Sequence, residues 1–298
     1  MNSPLQELRD QLFQEKGVQV WMKRDDLLHP LISGNKWRKL KYNLLEAKSQ
    51  QVDAALSFGG AYSNHIHALA AAGKEYGIKT IGLIRGEELS PDNLTLKDAA
   101  AWGMELHFIP REAYRAKEEE LIQPFATKYP NLMVIPEGGA NTLAIKGVGE
   151  LISELDIPFT ILCTAAGTGA TAAGLISSTP PNTRVLAFSA LKGDFLRQDI
   201  SNFLPHSYNN WELNAEYSFG GYAKMDQALF DFVKEFKAKH DILLDPIYTS
   251  KMMFGLYDLI RKDAFKPGEV IVAVHTGGLQ GWREWGKRYP LFNPGQFE

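Results

Sequence analysis

A single cysteine, Cys163, stands in a chain of 298 residues. That scarcity excludes an intramolecular disulfide and a cysteine-built metal cage, and it fits a reducing compartment. Charge of neither sign is in excess, because 32 lysines and arginines face 35 aspartates and glutamates and leave a net charge of −3. Such a balance provides no electrostatic footprint for nucleic acid or an anionic membrane surface, so a small molecule is the expected partner. Apolar runs are short, none approaching a membrane span, and Met1-Asn2-Ser3-Pro4-Leu5-Gln6 begins no signal-peptide core. A cytoplasmic location is expected. Internal repeats and low-complexity segments are missing too, and 45% apolar with 22% charged residues excludes a disordered or fibrous chain. The length allows one large or two ordinary domains.

What is present is alternation. Apolar runs at 18–23, 54–58, 80–84, 105–109, 133–135, 159–164, 184–188 and 270–274 read as strands, several of them apolar on both faces as a buried parallel sheet requires. Segments 36–48, 64–76, 94–102, 143–154, 170–177, 224–239 and 251–262 read as helices. Strand followed by helix, repeated this often, defines an α/β protein with open sheets and crossover connections. The stretch 202–221, rich in Asn, Ser, Tyr and Gly, reads as a long irregular connection placed to cover a site.

Ligands of open α/β sheets sit beyond the carboxyl ends of the strands, which directs attention to the loops there. Ser33-Gly34-Asn35-Lys36-Trp37 places a lysine at a glycine turn where a helix begins. An amine held in that way can serve as a Schiff-base nucleophile, although a lysine taken alone is ordinarily a solvated surface charge. Gly59-Gly60-Ala61-Tyr62-Ser63-Asn64-His65 is a tight turn into a helix. Capping accounts for Ser63 and Asn64, whereas the paired glycines allow close approach of backbone, and exposed amides there suit a carboxylate.

The segment Gly167-Thr168-Gly169-Ala170-Thr171 reads as a phosphate cup, with small residues, two hydroxyls and a helix start. Its spacing also satisfies Gly-x-Gly-x-x-Ala, but a dinucleotide site needs an acid about 20 residues further on. Ala187-Phe188-Ser189-Ala190-Leu191 contains none, and the cup lacks the Lys-Ser/Thr ending of a triphosphate loop. A small phosphorylated cofactor is therefore expected. His275-Thr276-Gly277-Gly278 closes the last strand, and Asp245-Pro246-Ile247-Tyr248-Thr249 runs into a helix, adding neutral hydroxyls. A lysine for an aldehyde, a cup for a phosphate and a hydroxyl for a pyridine nitrogen are the parts of a pyridoxal phosphate site.

Five segments, in order along the chain, also resemble a known family: Lys23-Arg24-Asp25-Asp26, Gly34-Asn35-Lys36-x-Arg38-Lys39-Leu40, Gly59-Gly60-x-x-Ser63-Asn64-His65, Asp245-Pro246-x-Tyr248-Thr249 and His275-Thr276-Gly277-Gly278. They look like the 1-aminocyclopropane-1-carboxylate deaminase and D-cysteine desulfhydrase family. The resemblance implies the tryptophan synthase β-like fold (type II of the pyridoxal-phosphate enzymes), with two α/β domains and the cofactor in the cleft between them. It divides the chain into a large domain of 1–39 with 146–298 and a small inserted domain of 40–145, and it implies a homodimer. Lys36 would carry the cofactor and act as base; Asn64 would bond the cofactor's phenolic oxygen. Ser63 and His65, beside Asn64, would hold the substrate carboxylate, and Gly167, Thr168, Gly169, Ala170 and Thr171 the phosphate. Tyr248, and Tyr222 in Gly220-Gly221-Tyr222-Ala223, would face the substrate.

Thr249 and Thr276 stand where the resemblance places glutamate and leucine in deaminases and hydroxyl residues in desulfhydrases. A glutamate would keep the pyridine nitrogen protonated, whereas a hydroxyl leaves the ring nearer neutral, enough for loss of a good leaving group. The expectation is β-elimination from D-cysteine or a related amino acid to pyruvate, ammonia and sulfide, with 1-aminocyclopropane-1-carboxylate deamination or another β-elimination or β-replacement as the alternative. A nicotinamide oxidoreductase and a catalytically idle cofactor-binding protein are the remaining readings. The chain departs from the family pattern at His67-Ala68, where an Arg-Gln pair is usual, and between Phe195 and Tyr222.

Overall fold

Burial on both faces is what turns the apolar runs into parallel strands, and the arrangement of those strands sets the site. The computed structural model describes residues 2–87, 93–116, 118–286 and 289. In chain order they form β1 (Leu5–Leu8), α1 (Gln11–Glu15), β2 (Gln19–Lys23), α2 (Asn35–Ser49), β3 (Ala54–Gly60), α3 (Asn64–Tyr76), β4 (Thr80–Arg85) and α4 (Leu94–Ala101). Then follow β5 (Glu105–Ile109), α5 (Arg111–Ala116), α6 (Glu118–Lys128), β6 (Leu132–Ile135), α7 (Thr142–Gly149), β7 (Ile161–Ala166) and α8 (Ala170–Ser178). The remainder is β8 (Arg184–Ser189), α9 (Phe195–Phe203), β9 (Trp211–Asn214), α10 (Gln227–His240), α11 (Thr249–Arg261), β10 (Val270–Val274) and α12 (Trp282–Trp285).

The strands form two sheets. One has the order β1-β2-β10-β7-β8-β9 and draws on both ends of the chain; the other, β5-β4-β3-β6, comes from the stretch between. All pairings are parallel except β1 with β2, which sits antiparallel at an edge. The six-stranded sheet is covered on one face by α10 and α11, through Phe230, Val233, Met252 and Leu256, and on the other by α8 and α9, through Leu175 and Ile200. On the four-stranded sheet, Leu40, Leu44 and Leu69 of α2 and α3 cover one face, and Leu121, Ile122 and Phe125 of α6 the other.

Several elements differ from expectation. The stretch read as irregular at 202–221 contains β9, which adds parallel to β8 at the sheet edge, and α9 precedes it. β1 is only four residues long, too short to show a period, and α5 and α6 lie where no helix was expected. The helix expected at 143–154 ends at Gly149 and tightens into a 3-10 turn over Glu150–Glu154.

The helix α2 is set by buried charge as well as by its apolar face. Arg38 donates to both carboxylate oxygens of Asp25, at 2.7 and 2.8 Å, and to both of Glu154, at 2.8 Å each. Lys23 at the end of β2 reaches the same Glu154 at 2.7 Å. On the other side α7 lies so close that a Cβ on Gly147 would stand 2.1 Å from the Arg38 carbonyl oxygen. Gly147→Ala is expected to cost about 1–3 kcal/mol of stability through overpacking, read as a lower urea midpoint with an unchanged slope.

Candidate active site

The strand ends of the two sheets open onto a cavity of about 1110 Å³ between them. Its walls include Lys36 and Lys39 of α2, the turn 60–65 after β3, the loop 165–169 after β7, Tyr222, Tyr248, and Thr276 after β10.

Lys36 is the second residue of α2, and the backbone before it explains its position. Gly34 has φ 65°, and a Cβ there would fall 1.9 Å from the Thr276 carbonyl oxygen. Gly277, with φ 75°, presses back within 2.8 Å of the Gly34 Cα by the same construction. Only glycine permits this contact. The Asn35 amide then donates to the Thr276 carbonyl at 3.1 Å, and its side chain donates to the Thr171 hydroxyl at 2.9 Å. The starts of α2 and α8 and the exit of β10 are thus locked together around Lys36.

No hydrogen bond or ion pair holds the Lys36 amine among the described residues. Burial pushes it down to about 8, against a raising pull from the Asp245 charge. Lys39, one turn along the same helix face, is fully buried and donates to the Gly138 carbonyl at 2.8 Å, with the Thr168 hydroxyl at 3.4 Å. Burial first and the Lys36 charge second hold it well below the usual lysine range. Lys39 was not among the expected site residues. Its spacing of three from Lys36 is the signal that locates it.

At the cup, Gly169 adopts φ 85° and α8 begins with no side-chain cap, so its first amides stay open beside Thr168 and Lys39. Gly167 lies against the Tyr248 ring, where a Cβ would stand 2.8 Å from Cε1. Ala170 and Thr171 open the helix, with Thr171 turned to Asn35. Open helix amides, a hydroxyl and an otherwise unbalanced buried lysine are a donor set for a phosphate, and a second lysine without a partner suits an aldehyde. The residues fit pyridoxal phosphate.

The turn after β3 divides its duties. Ser63 accepts from the Ile66 amide at 3.3 Å as the cap of α3 while also lining the cavity. Gly59 is small to admit Ile66 and Ser63 of its own turn, since a Cβ would meet them at 2.6 and 2.8 Å; close approach of a ligand is not what requires it. Asn64 accepts from Gln280 at 2.7 Å and also lines the cavity.

His65 is fully buried. Ser57 donates its hydroxyl to the Ile135 carbonyl at 2.7 Å, so at 2.8 Å it accepts from His65 Nε2, and Nδ1 has no partner. Burial, with Lys36 and Lys39 nearby, keeps the ring neutral. In that tautomer Nδ1 is an acceptor. The imidazole of His65 is therefore no donor to a carboxylate, although His65 lines the cavity together with Ser63 and Asn64.

Tyr222 and Tyr248 meet across the cavity with ring centroids 6.2 Å apart. Burial raises both phenols, Tyr248 the more strongly, so both stay protonated. The two threonines separate. Thr276 lines the cavity, but Thr249 does not. The Thr249 hydroxyl donates to Asp245 Oδ1 at 2.7 Å and accepts from the Asp245 amide at 2.8 Å. The same carboxylate takes the amides of Ile247, Tyr248 and Thr249, and the start of α11 is built on it. The expected contact of Thr249 with the cofactor ring is corrected by this pairing: its one donor is committed.

A two-sheet α/β fold with a lysine and a phosphate cup facing one cleft defines a protein that holds a phosphorylated aldehyde. The sequence profile of the pyridoxal-phosphate dependent enzyme family matches residues 1–277, and the chain belongs to that family. A Pyrococcus horikoshii protein provisionally named as a 1-aminocyclopropane-1-carboxylate deaminase is 30% identical over 96% of this chain and 92% of its own. The mitochondrial bifunctional D-cysteine desulfhydrase/1-aminocyclopropane-1-carboxylate deaminase of Arabidopsis thaliana is 30% identical over 89% of this chain and 73% of its own. The crystal structure of an ACC deaminase homologue superposes with TM-score 0.82 at 28% identity, covering 97% of this chain and 93% of that one. The fold is the tryptophan synthase β-like, type II architecture. Among the described residues no helix is long and apolar enough to cross a membrane.

Capture of pyridoxal phosphate by the apoprotein requires a neutral amine, so its rate is expected to rise through a pH of about 8, where Lys36 loses its proton. Absorbance titration between neutral and alkaline pH checks this. A midpoint near the ordinary lysine value of 10.5, or capture that survives in Lys36→Ala, would contradict the assignment.

Proposed function

We propose that the protein is a pyridoxal-phosphate-dependent lyase that removes the β substituent of D-cysteine or a related amino acid, releasing pyruvate, ammonia and sulfide. The observation that carries this reading is Thr276. It is a neutral hydroxyl in the cavity wall, while Asp245, whose charge acts on Lys36, is fully buried and engaged by backbone amides. A ring nitrogen held at Thr276 would meet a hydroxyl in place of a carboxylate. Loss of a good leaving group such as sulfide does not require one.

When bound, the cofactor supplies an electron sink for the bond broken at the substrate α carbon. The rest falls to the chain. Open amides of α8 with Thr168 and Lys39 balance the phosphate charge. Ser63 and the Asn64 amide orient the substrate carboxylate, which fixes the face presented to Lys36. With its amine brought down to about 8, Lys36 holds a usable neutral fraction near neutral pH and takes the α proton. Tyr222 and Tyr248, both protonated, offer hydrogen bonds on the side where the β substituent departs. Water then converts the released enamine to pyruvate and ammonia.

Deamination of 1-aminocyclopropane-1-carboxylate is the second reading, supported by the names of the relatives. Pyruvate formation from D-cysteine, L-cysteine and 1-aminocyclopropane-1-carboxylate separates the two. The highest kcat/KM is expected with D-cysteine; preference for the cyclopropane would overturn the elimination reading. Thr276→Val is expected to lower kcat for D-cysteine by about tenfold, the worth of one buried hydrogen bond. An unchanged kcat would remove Thr276 from the argument.

A further inference from the structure

Lys251 sits three residues after Tyr248 in the first turn of α11, and only 1% of it is exposed. Its ammonium donates to the Gly221 carbonyl at 2.6 Å, to that of Ser218 at 2.8 Å and to that of Ala190 at 3.3 Å. Among the described residues it forms no ion pair with a carboxylate. Three main-chain carbonyls from two separate segments therefore use all three of its protons. The segment of Ser218 and Gly221 runs through positive φ: 50° at Phe219, 88° at Gly220, 111° at Gly221 and 51° at Ala223. Two of these are not glycine, and such backbone persists only where its surroundings determine it. Tyr222 stands in the middle, 41% exposed, with its ring at Tyr248. The Ala190 carbonyl ties in the end of β8, next to Leu191 in the cavity wall.

We propose that Lys251 is a positioning residue: its ammonium acts as a built-in cation that draws three main-chain carbonyls together and sets the Tyr222 loop against Tyr248 at the cavity. The effect on catalysis rests on the reading that Tyr222 faces the substrate. A neutral side chain of the same length would leave three converging carbonyls without a donor, and their mutual repulsion would open the loop. A single short helix start then carries both devices, Tyr248 directed into the cavity and Lys251 directed beneath the loop that opposes it.

Lys251→Met keeps the length and removes the charge. In the holoenzyme, hydrogen–deuterium exchange of the amides in 218–223 is expected to quicken about tenfold while β7 and β10 stay protected. The kcat/KM for D-cysteine is expected to fall about tenfold, with no further fall when the same change is made in Tyr222→Ala, because the two act through one loop. Should Lys251→Met not fold, Lys251→Gln, which keeps a donor and loses the charge, is read in the same way. Unchanged exchange in 218–223, exchange raised equally in β7, or losses that simply add to those of Tyr222→Ala would overturn the proposal. The exchange measurement needs no turnover. Absence of D-cysteine lyase activity would therefore count against the proposed function and leave the loop result to stand or fall by itself.

Discussion

The contact of Gly34 with the Thr276 carbonyl is the constraint on which the site depends. Two glycines, Gly34 and Gly277, meet back to back with positive φ, and that approach brings the start of α2 against the exit of β10. Asn35 then bridges to Thr171 on α8. The lysine, the phosphate cup and the Thr276 wall are held in register by backbone that no larger residue could occupy. The charged cluster of Lys23, Asp25, Arg38 and Glu154 acts on the far side of α2. Lys23, Asp25 and Arg38 lie in the segments that resemble the family, yet none of these four lines the cavity. They aim the helix, and the helix aims Lys36.

Electrostatics at the cavity's inner end complete the logic. Two lysines one helical turn apart, Lys39 buried and Lys36 half-buried, stand without a carboxylate partner, and the Lys36 charge adds to burial in depressing the proton affinity of Lys39. Unpaired buried cations are unfavourable by themselves, so the inner site is arranged for an anion that comes from outside. A phosphate placed at α8 supplies that charge beside Lys39. An anion there would offset the burial that holds Lys39 neutral and favour its charged form, which would leave Lys36 as the neutral amine of the pair. The division of labour between two similar side chains thus follows from distance to the cup.

Much of the fold is legible in the sequence because strand ends and glycine loops coincide. Runs such as 54–58 and 270–274 are apolar on both faces and admit no other reading. β1 and β9 are short edge strands with mixed burial, and their pairing depends on the neighbour rather than on their own pattern. Thr249 shows a different limit: the spacing Asp245-Pro246-x-Tyr248-Thr249 places a hydroxyl near the site without saying which way it turns. The turn is decided by the Asp245 carboxylate, which collects three amides and that hydroxyl. His65 is a parallel case, for its tautomer is set through Ser57 by the Ile135 carbonyl, 78 residues from Ser57 along the chain.

The same reasoning separates what the family framework provides from what this chain decides. Lysine, cup and glycine contact build a site in which a phosphorylated aldehyde can be held, and they leave open which bond is broken. That choice falls to groups around the ring nitrogen and the β carbon. At the first, Asp245 is engaged by its own helix and does not line the cavity, while Thr276 does. At the second, two protonated phenols face each other, one on the helix start and one on a loop whose strained backbone encloses Lys251. Under the proposed elimination, selectivity would rest on two pieces of internal capping at the start of α11, Asp245 with Thr249 and Lys251 with its carbonyls. Neither lines the cavity, and together they determine the faces that do.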